Sequence, residues 1–129
     1  MEIGESKPER YREPARSFTD LVVWQKSHQL VLEVYRISKD FPNTEVYGLS
    51  AQLRRAAVSV AANIAEGFRK RGKLDKVRFL NMAEGSIEEC RYYLILAEDL
   101  KYCPTAGLLE RIEEISKLLN SYSKAILKG

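Results

Sequence analysis

A chain of 129 residues, 45% hydrophobic and 30% charged, is one domain's worth of sequence and can bury a core without disulfide or metal staples. No apolar run approaches the ~20 residues that span a bilayer, the N-terminus has no apolar signal segment, and Cys90 and Cys103 lack the spacing of a metal site or a disulfide framework; no membrane is expected and the cytoplasm is the default compartment. The net charge is only +3, but it is unevenly spread: eight basic and two acidic residues lie from Arg54 to Arg78, against three basic and eight acidic from Glu84 to Glu114. That asymmetry marks a basic region able to attract anions, against the plainer reading of a solvated charged surface.

Residues 1–17 alternate charges and carry Pro8 and Pro14, which predicts a mobile tail ahead of a domain spanning 18–129. The first helix is expected over 20–40 with Thr19 as its N-cap. Val23, Ser27, Leu30, Val34, Ile37 and Phe41 recur at alternating four- and three-residue steps, and Pro42 stops the helix. A short turn at 44–46 precedes a second helix over 47–70, with Leu49, Leu53, Ala57, Val60, Ile64 and Phe68 as its stripe and Gly72 as a C′ glycine. The third is expected over 73–102 on a seam of Phe79, Ala83, Ser86, Cys90, Tyr93, Ala97 and Leu100. The fourth, over 105–127, starts at Thr105 and runs on Leu108, Ile112, Ile115, Leu119, Tyr122 and Ile126. No period-2 strand pattern competes. Four long amphipathic helices with short connections predict an all-α, antiparallel up-down-up-down four-helix bundle.

The second helix carries more apolar surface than a bundle needs. No charged residue lies between Arg55 and Glu66. At 100° per residue, Leu53, Ala57, Val60 and Ile64 face one way while Val58, Ala62 and Ala65 face nearly the opposite way. Alanine tolerates exposure, but a run this long predicts a second interface, and another copy of the same chain is the simplest partner. Folding the chain back at Gly72–Lys73 sets Ser59 opposite Ser86, Asn63 opposite Met82 and Ala83, and Arg55 opposite Glu89 and Cys90. Small residues facing small ones permit close packing, Gly67 marks a close backbone approach, and Arg55 with Glu89 is expected to form a bidentate pair at a partly buried seam.

Catalytic and metal-binding patterns are missing. His28 is the only histidine, so paired Glu-x-x-His di-iron ligands and Cys-His clusters are impossible. No Walker loop or nucleophile elbow is present. Glu84, Glu88 and Glu89 stand without a nucleophile or oxyanion device, and Cys90 falls on a helix seam. The expectation is no catalytic residue, no metal and no cofactor.

The stretches FTDLVVWQKSHQLVLEVY, FPNTEVYGLSAQLRRAAVSVAANIAEG and FLNMAEGSIEE resemble the 23S rRNA intervening-sequence protein family over residues 18–102. The resemblance is carried by Phe41-Pro42, Glu45, Tyr47-Gly48-Leu49, Gln52, Arg54-Arg55, Ser59, Asn63, Ala65-Glu66-Gly67, Ala83, Gly85-Ser86 and Glu89. It implies a four-helix bundle assembled into a homo-oligomeric ring, a pentamer in family members. A distantly similar bundle, the accessory variability protein of diversity-generating retroelements, is a pentamer that binds nucleic acid and a reverse transcriptase.

These strands combine into one functional expectation: a non-enzymatic homo-oligomeric bundle that binds structured RNA or DNA through a basic end. Arg69, Lys70, Arg71, Lys73 and Lys76, with Arg54, are its nucleic-acid contacts. Val58, Ala62 and Ala65 form the oligomer contact, and Arg55, Ser59, Asn63, Glu66, Gly67, Ser86 and Glu89 hold the second helix to the third or to a neighbouring subunit. The alternative is a protein-interaction scaffold whose basic end and acidic helices dock a protein partner without touching nucleic acid.

Overall fold

A computed structural model of the chain describes residues 14–129. Most of the predicted tail therefore lies outside the described residues. Ser17, placed in that tail by sequence, instead opens the folded unit. Its hydroxyl accepts from the Thr19 backbone N–H (3.2 Å), and the Asp20 carboxylate reaches back to the N–H groups of Ser17 (3.2 Å) and Arg16 (2.9 Å). This capping box starts a 3-10 turn, Phe18–Asp20, ahead of helix α1 (Val22–Ser38). The N-cap of α1 is therefore Leu21 rather than Thr19. Leu21 is extended and breaks the path between turn and helix, while Gln25 donates to the Thr19 carbonyl at 2.9 Å and ties them together.

A second 3-10 turn, Asn43–Glu45, leads into α2 (Leu49–Arg69). The N-cap of α2 is Gly48, which has no side chain to offer the free N–H groups. Glu45 supplies the acceptor: its carboxylate takes the Leu49 N–H at 2.9 Å and the Tyr102 hydroxyl at 2.8 Å. A Cβ at position 48 would lie 2.7 Å from that carboxylate oxygen, so a side chain there would have to displace the Glu45 cap.

Helices α3 (Lys73–Asp99) and α4 (Ala106–Lys128) complete the fold. Gly72 is not a left-handed C′ residue: α2 ends as Lys70 turns extended, and Gly72 (φ −84°, ψ 146°) is the N-cap of α3. The left-handed C-cap belongs to α3. Lys101 has φ 66°, the Tyr102 N–H bonds the Ala97 carbonyl and the Lys101 N–H bonds that of Glu98, a Schellman motif that ends the helix three residues before its expected limit. Thr105 does sit at the N-cap of α4, but its hydroxyl and N–H both donate to Glu98, so it joins the end of α3 to the start of α4 instead of capping by side chain.

The four stripes meet in one core. Leu30, Val34, Leu53, Val60, Ile64 and Leu80 are buried, as are Ile87, Leu94, Ile112, Ile115 and Leu119. Full burial of such a side chain stabilises by about 2 kcal/mol. The closest pairing is α2 with α3. Ser86 donates to Ser59 at 2.9 Å and Arg55 reaches Glu89 at 3.4 Å, so numbers rising along α2 meet numbers falling along α3. Between α1 and α4, Lys26 pairs with Glu114 (3.1 Å) and Glu33 with Arg111 (2.7 Å). No strand occurs among the described residues, and no helix there is long and apolar enough to cross a membrane.

Candidate nucleic-acid interface

Only three residues separate α2 from α3, so the last turn of one helix and the first turn of the other present their side chains at one end of the molecule. Arg69, Arg71 and Lys73 are exposed there. Lys70 is half-buried, its ammonium 4.9 Å from the centre of the Phe79 ring, and the Arg78 guanidinium lies 4.7 Å from the same ring. Arg78 is also held by the Asp75 carboxylate at 2.9 Å. Among the described residues, no ion pair involves Arg69, Lys70, Arg71 or Lys73.

Two of the six cations named from sequence are engaged within the fold, and one of these, Arg54, lies away from this end. Lys76 donates to the Phe68 carbonyl at 2.7 Å and reaches that of Gly67 at 3.5 Å, with Phe68's ring 5.5 Å away. It neutralises the partial negative charge where α2 ends. Arg54 lies about 22 Å up α2 from Arg69, at 1.5 Å per residue. Its guanidinium donates to the Ser38 hydroxyl (2.7 Å) and the Tyr35 carbonyl (3.5 Å) and covers the Tyr35 ring, which fixes the end of α1. Helix α4 ends beside the start of α3, where Lys124 and Arg78 line a common groove.

The residues shared between α2 and α3 form a polar strip. Asn63 is buried and donates to the carbonyl (2.9 Å) and hydroxyl (3.1 Å) of Ser59, which in turn receives Ser86. A Cβ on Gly67 would lie 3.0 Å from the Phe79 Cβ and 3.4 Å from the Lys76 carbonyl oxygen, so the close approach expected there is real. Glu66 is exposed. The Arg55–Glu89 pair differs from expectation. It is one contact of 3.4 Å rather than a bidentate fork, and the side chains are 56% and 44% exposed. Arg55 also donates to Gln52 (2.9 Å) and Tyr93 to Glu89 (3.5 Å), a solvated chain worth about 0–1 kcal/mol. Cys90 beneath it is buried, and burial pushes its thiol up to about 12, a side chain for packing rather than reaction.

The opposite face of α2 is open. Val58 is 42% exposed, Ala62 is exposed and Ala65 half-buried, and all three line an apolar groove of about 280 Å³. Its other wall comes from Phe18, Trp24, His28 and Val31. Trp24 and His28 stack with centroids 4.9 Å apart, and Phe18 meets Trp24 edge-on at 5.1 Å. Sequence reasoning found the α2 side of this groove and missed the α1 side. The signal was present, since Trp24, His28 and Val31 follow the i, i+4, i+7 spacing of one helix face.

The family model described as the 23S rRNA-intervening sequence protein matches residues 19–121. Among solved structures, the chain is similar to a protein of unknown function from the S23 ribosomal protein family of Bacteroides thetaiotaomicron. The two are 28% identical, the match covers 80% of this chain and 96% of that one, and the TM-score is 0.74. No curated protein matches.

Proposed function

Because the chain belongs to the 23S rRNA-intervening sequence protein family, and because its cations gather at one helix connection, we propose that it is a non-enzymatic cytoplasmic protein that binds structured RNA through that end. The observation that carries this reading is a surplus of charge. A helix C-terminus favours nearby cations without any ligand. Lys76 already meets that need by donating to the last carbonyls of α2. Arg69, Arg71 and Lys73 remain exposed beyond it, and surplus cations at one end suit a phosphate backbone.

Assembly strengthens such a contact. The pairings of α2 with α3 and of α1 with α4 support an up-down-up-down bundle, and the apolar groove over Val58, Ala62 and Ala65 supports association of such bundles into a ring. Each subunit of a ring repeats the basic end, so weak contacts act together.

Fluorescence anisotropy with a labelled RNA hairpin at two salt concentrations tests the reading. Binding should weaken steeply with salt. Replacing Arg69, Lys70 and Arg71 with glutamine should make the slope of log affinity against log salt shallower by ~2–3 units per subunit engaged. No binding at low salt, or an unchanged slope in the folded variant, would overturn it.

A further inference from the structure

The seam between α3 and α4 opens at the basic end into a groove of about 480 Å³. Its apolar wall is unusual for a helix end in water: Leu74 is 80% exposed and Leu127 51% exposed, with Val77 between the helices. Hydrogen-bonding groups stand beside this wall, namely Asn81 on α3 and Asn120 and Ser123 on α4. Further along the same seam, Glu84 and Asn120 also line the next hollow with Ser116. The Ser116 hydroxyl oxygen is buried and has no hydrogen-bond partner. Arg78 and Lys124 flank the groove.

Resting on the RNA reading above, we infer that this groove receives an unpaired nucleobase of a strand whose phosphates lie on the basic end. The flanking cations select an anionic chain. Two anionic chains of different kind would meet the lining differently. An acidic amphipathic helix has its own backbone bonds satisfied, so its apolar face would make no use of Asn81, Asn120 and Ser123, and its carboxylates would be repelled by Glu84. A nucleobase meets all three features at once. Its faces pack on Leu74 and Leu127, its edges exchange hydrogen bonds with the Asn81 and Asn120 amides and the Ser123 hydroxyl, and its ring or amino N–H groups donate to Glu84. A paired base hides that edge in the duplex, so the occupant is a bulged or single-stranded nucleotide.

The test compares the intact protein's affinity for two synthetic RNA hairpins, one with a single bulged nucleotide and one fully paired. The bulged hairpin should bind about tenfold more tightly, the size of one good base-edge contact. The double variant Asn81→Ala/Asn120→Ala should bring the bulged hairpin down to the paired one, leaving the paired affinity and its salt slope unchanged. 2-Aminopurine at the bulge should change its emission on binding to the unmodified protein, a readout that needs no variant. Equal affinity for the two hairpins, or an equal loss for both in the double variant, overturns the groove assignment and leaves the RNA reading standing. No binding of either hairpin at low salt overturns both.

Discussion

Gly67 and Phe79 bring α2 and α3 so close that a methyl group on Gly67 would stand 3.0 Å from the Phe79 Cβ. The contact lies one turn from the basic connection and sets its geometry, since Lys76 bonds the carbonyls of Gly67 and Phe68 from the same side. In an open helix, glycine to alanine would stabilise by about 1 kcal/mol. Here the neighbours are a Cβ and a backbone carbonyl, neither of which can swing away, and overpacking costs about 1–3 kcal/mol. Gly67→Ala should therefore lower the urea midpoint. A higher midpoint would mean that the two helices part without penalty.

Lys101 should respond in the opposite sense. It is the only non-glycine residue with positive φ among those described. The left-handed conformation costs an ordinary residue about 1 kcal/mol, and glycine escapes that penalty. Lys101→Gly should raise stability by about that amount, while Lys101→Ala should leave it near the starting value. Chemical denaturation of the three proteins decides the matter, and equal midpoints for the glycine and alanine variants would remove the Schellman account of how α3 ends.

Glu45 links the start of α2 to the segment after α3. Its hydrogen bond from the Leu49 N–H, followed by that from the Tyr102 hydroxyl, holds its carboxyl below the ordinary value of 4.5. A group with a depressed folded pKa stabilises above its unfolded pKa, and the contribution is lost as pH falls through the folded value. Glu45→Gln should thus be less stable than the unmodified protein at pH 7, and the gap should close as the pH drops below 4.5. A gap that persists undiminished at pH 3 would separate the cap from its charge.

Ala62 tests assembly. It lies on the exposed side of α2, in the groove closed by Trp24 and His28. Ala62→Glu places a carboxylate on an apolar face, where an unpaired charge cannot be buried without a large penalty. Light scattering should show the unmodified protein as an oligomer and the variant as a monomer, with circular dichroism unchanged. A monomeric unmodified protein at micromolar concentration would leave this face without the partner assigned to it.

Helix number, helix faces and the α2–α3 register were determined by sequence alone. Heptad spacing is a local property, so Leu30, Val34, Ile64, Cys90 and Ile112 could be placed in the core before any fold was known. The short connection then forced Ser59 onto Ser86 and Gly67 into close contact. Helix ends were decided by tertiary structure, because the groups that satisfy free N–H and C=O groups come from distant segments. Glu45 takes the hydroxyl of Tyr102, Arg54 reaches back to Ser38, and Lys76 crosses to Phe68. Composition counts Arg54 and Lys76 with the other cations, yet each is bound to a helix end that only the packed bundle brings within reach. The Arg55–Glu89 pair shows the same division. Opposed positions followed from the register, but exposure depends on how far the α2–α3 seam sits from the core axis, and that distance is set by packing all four helices together.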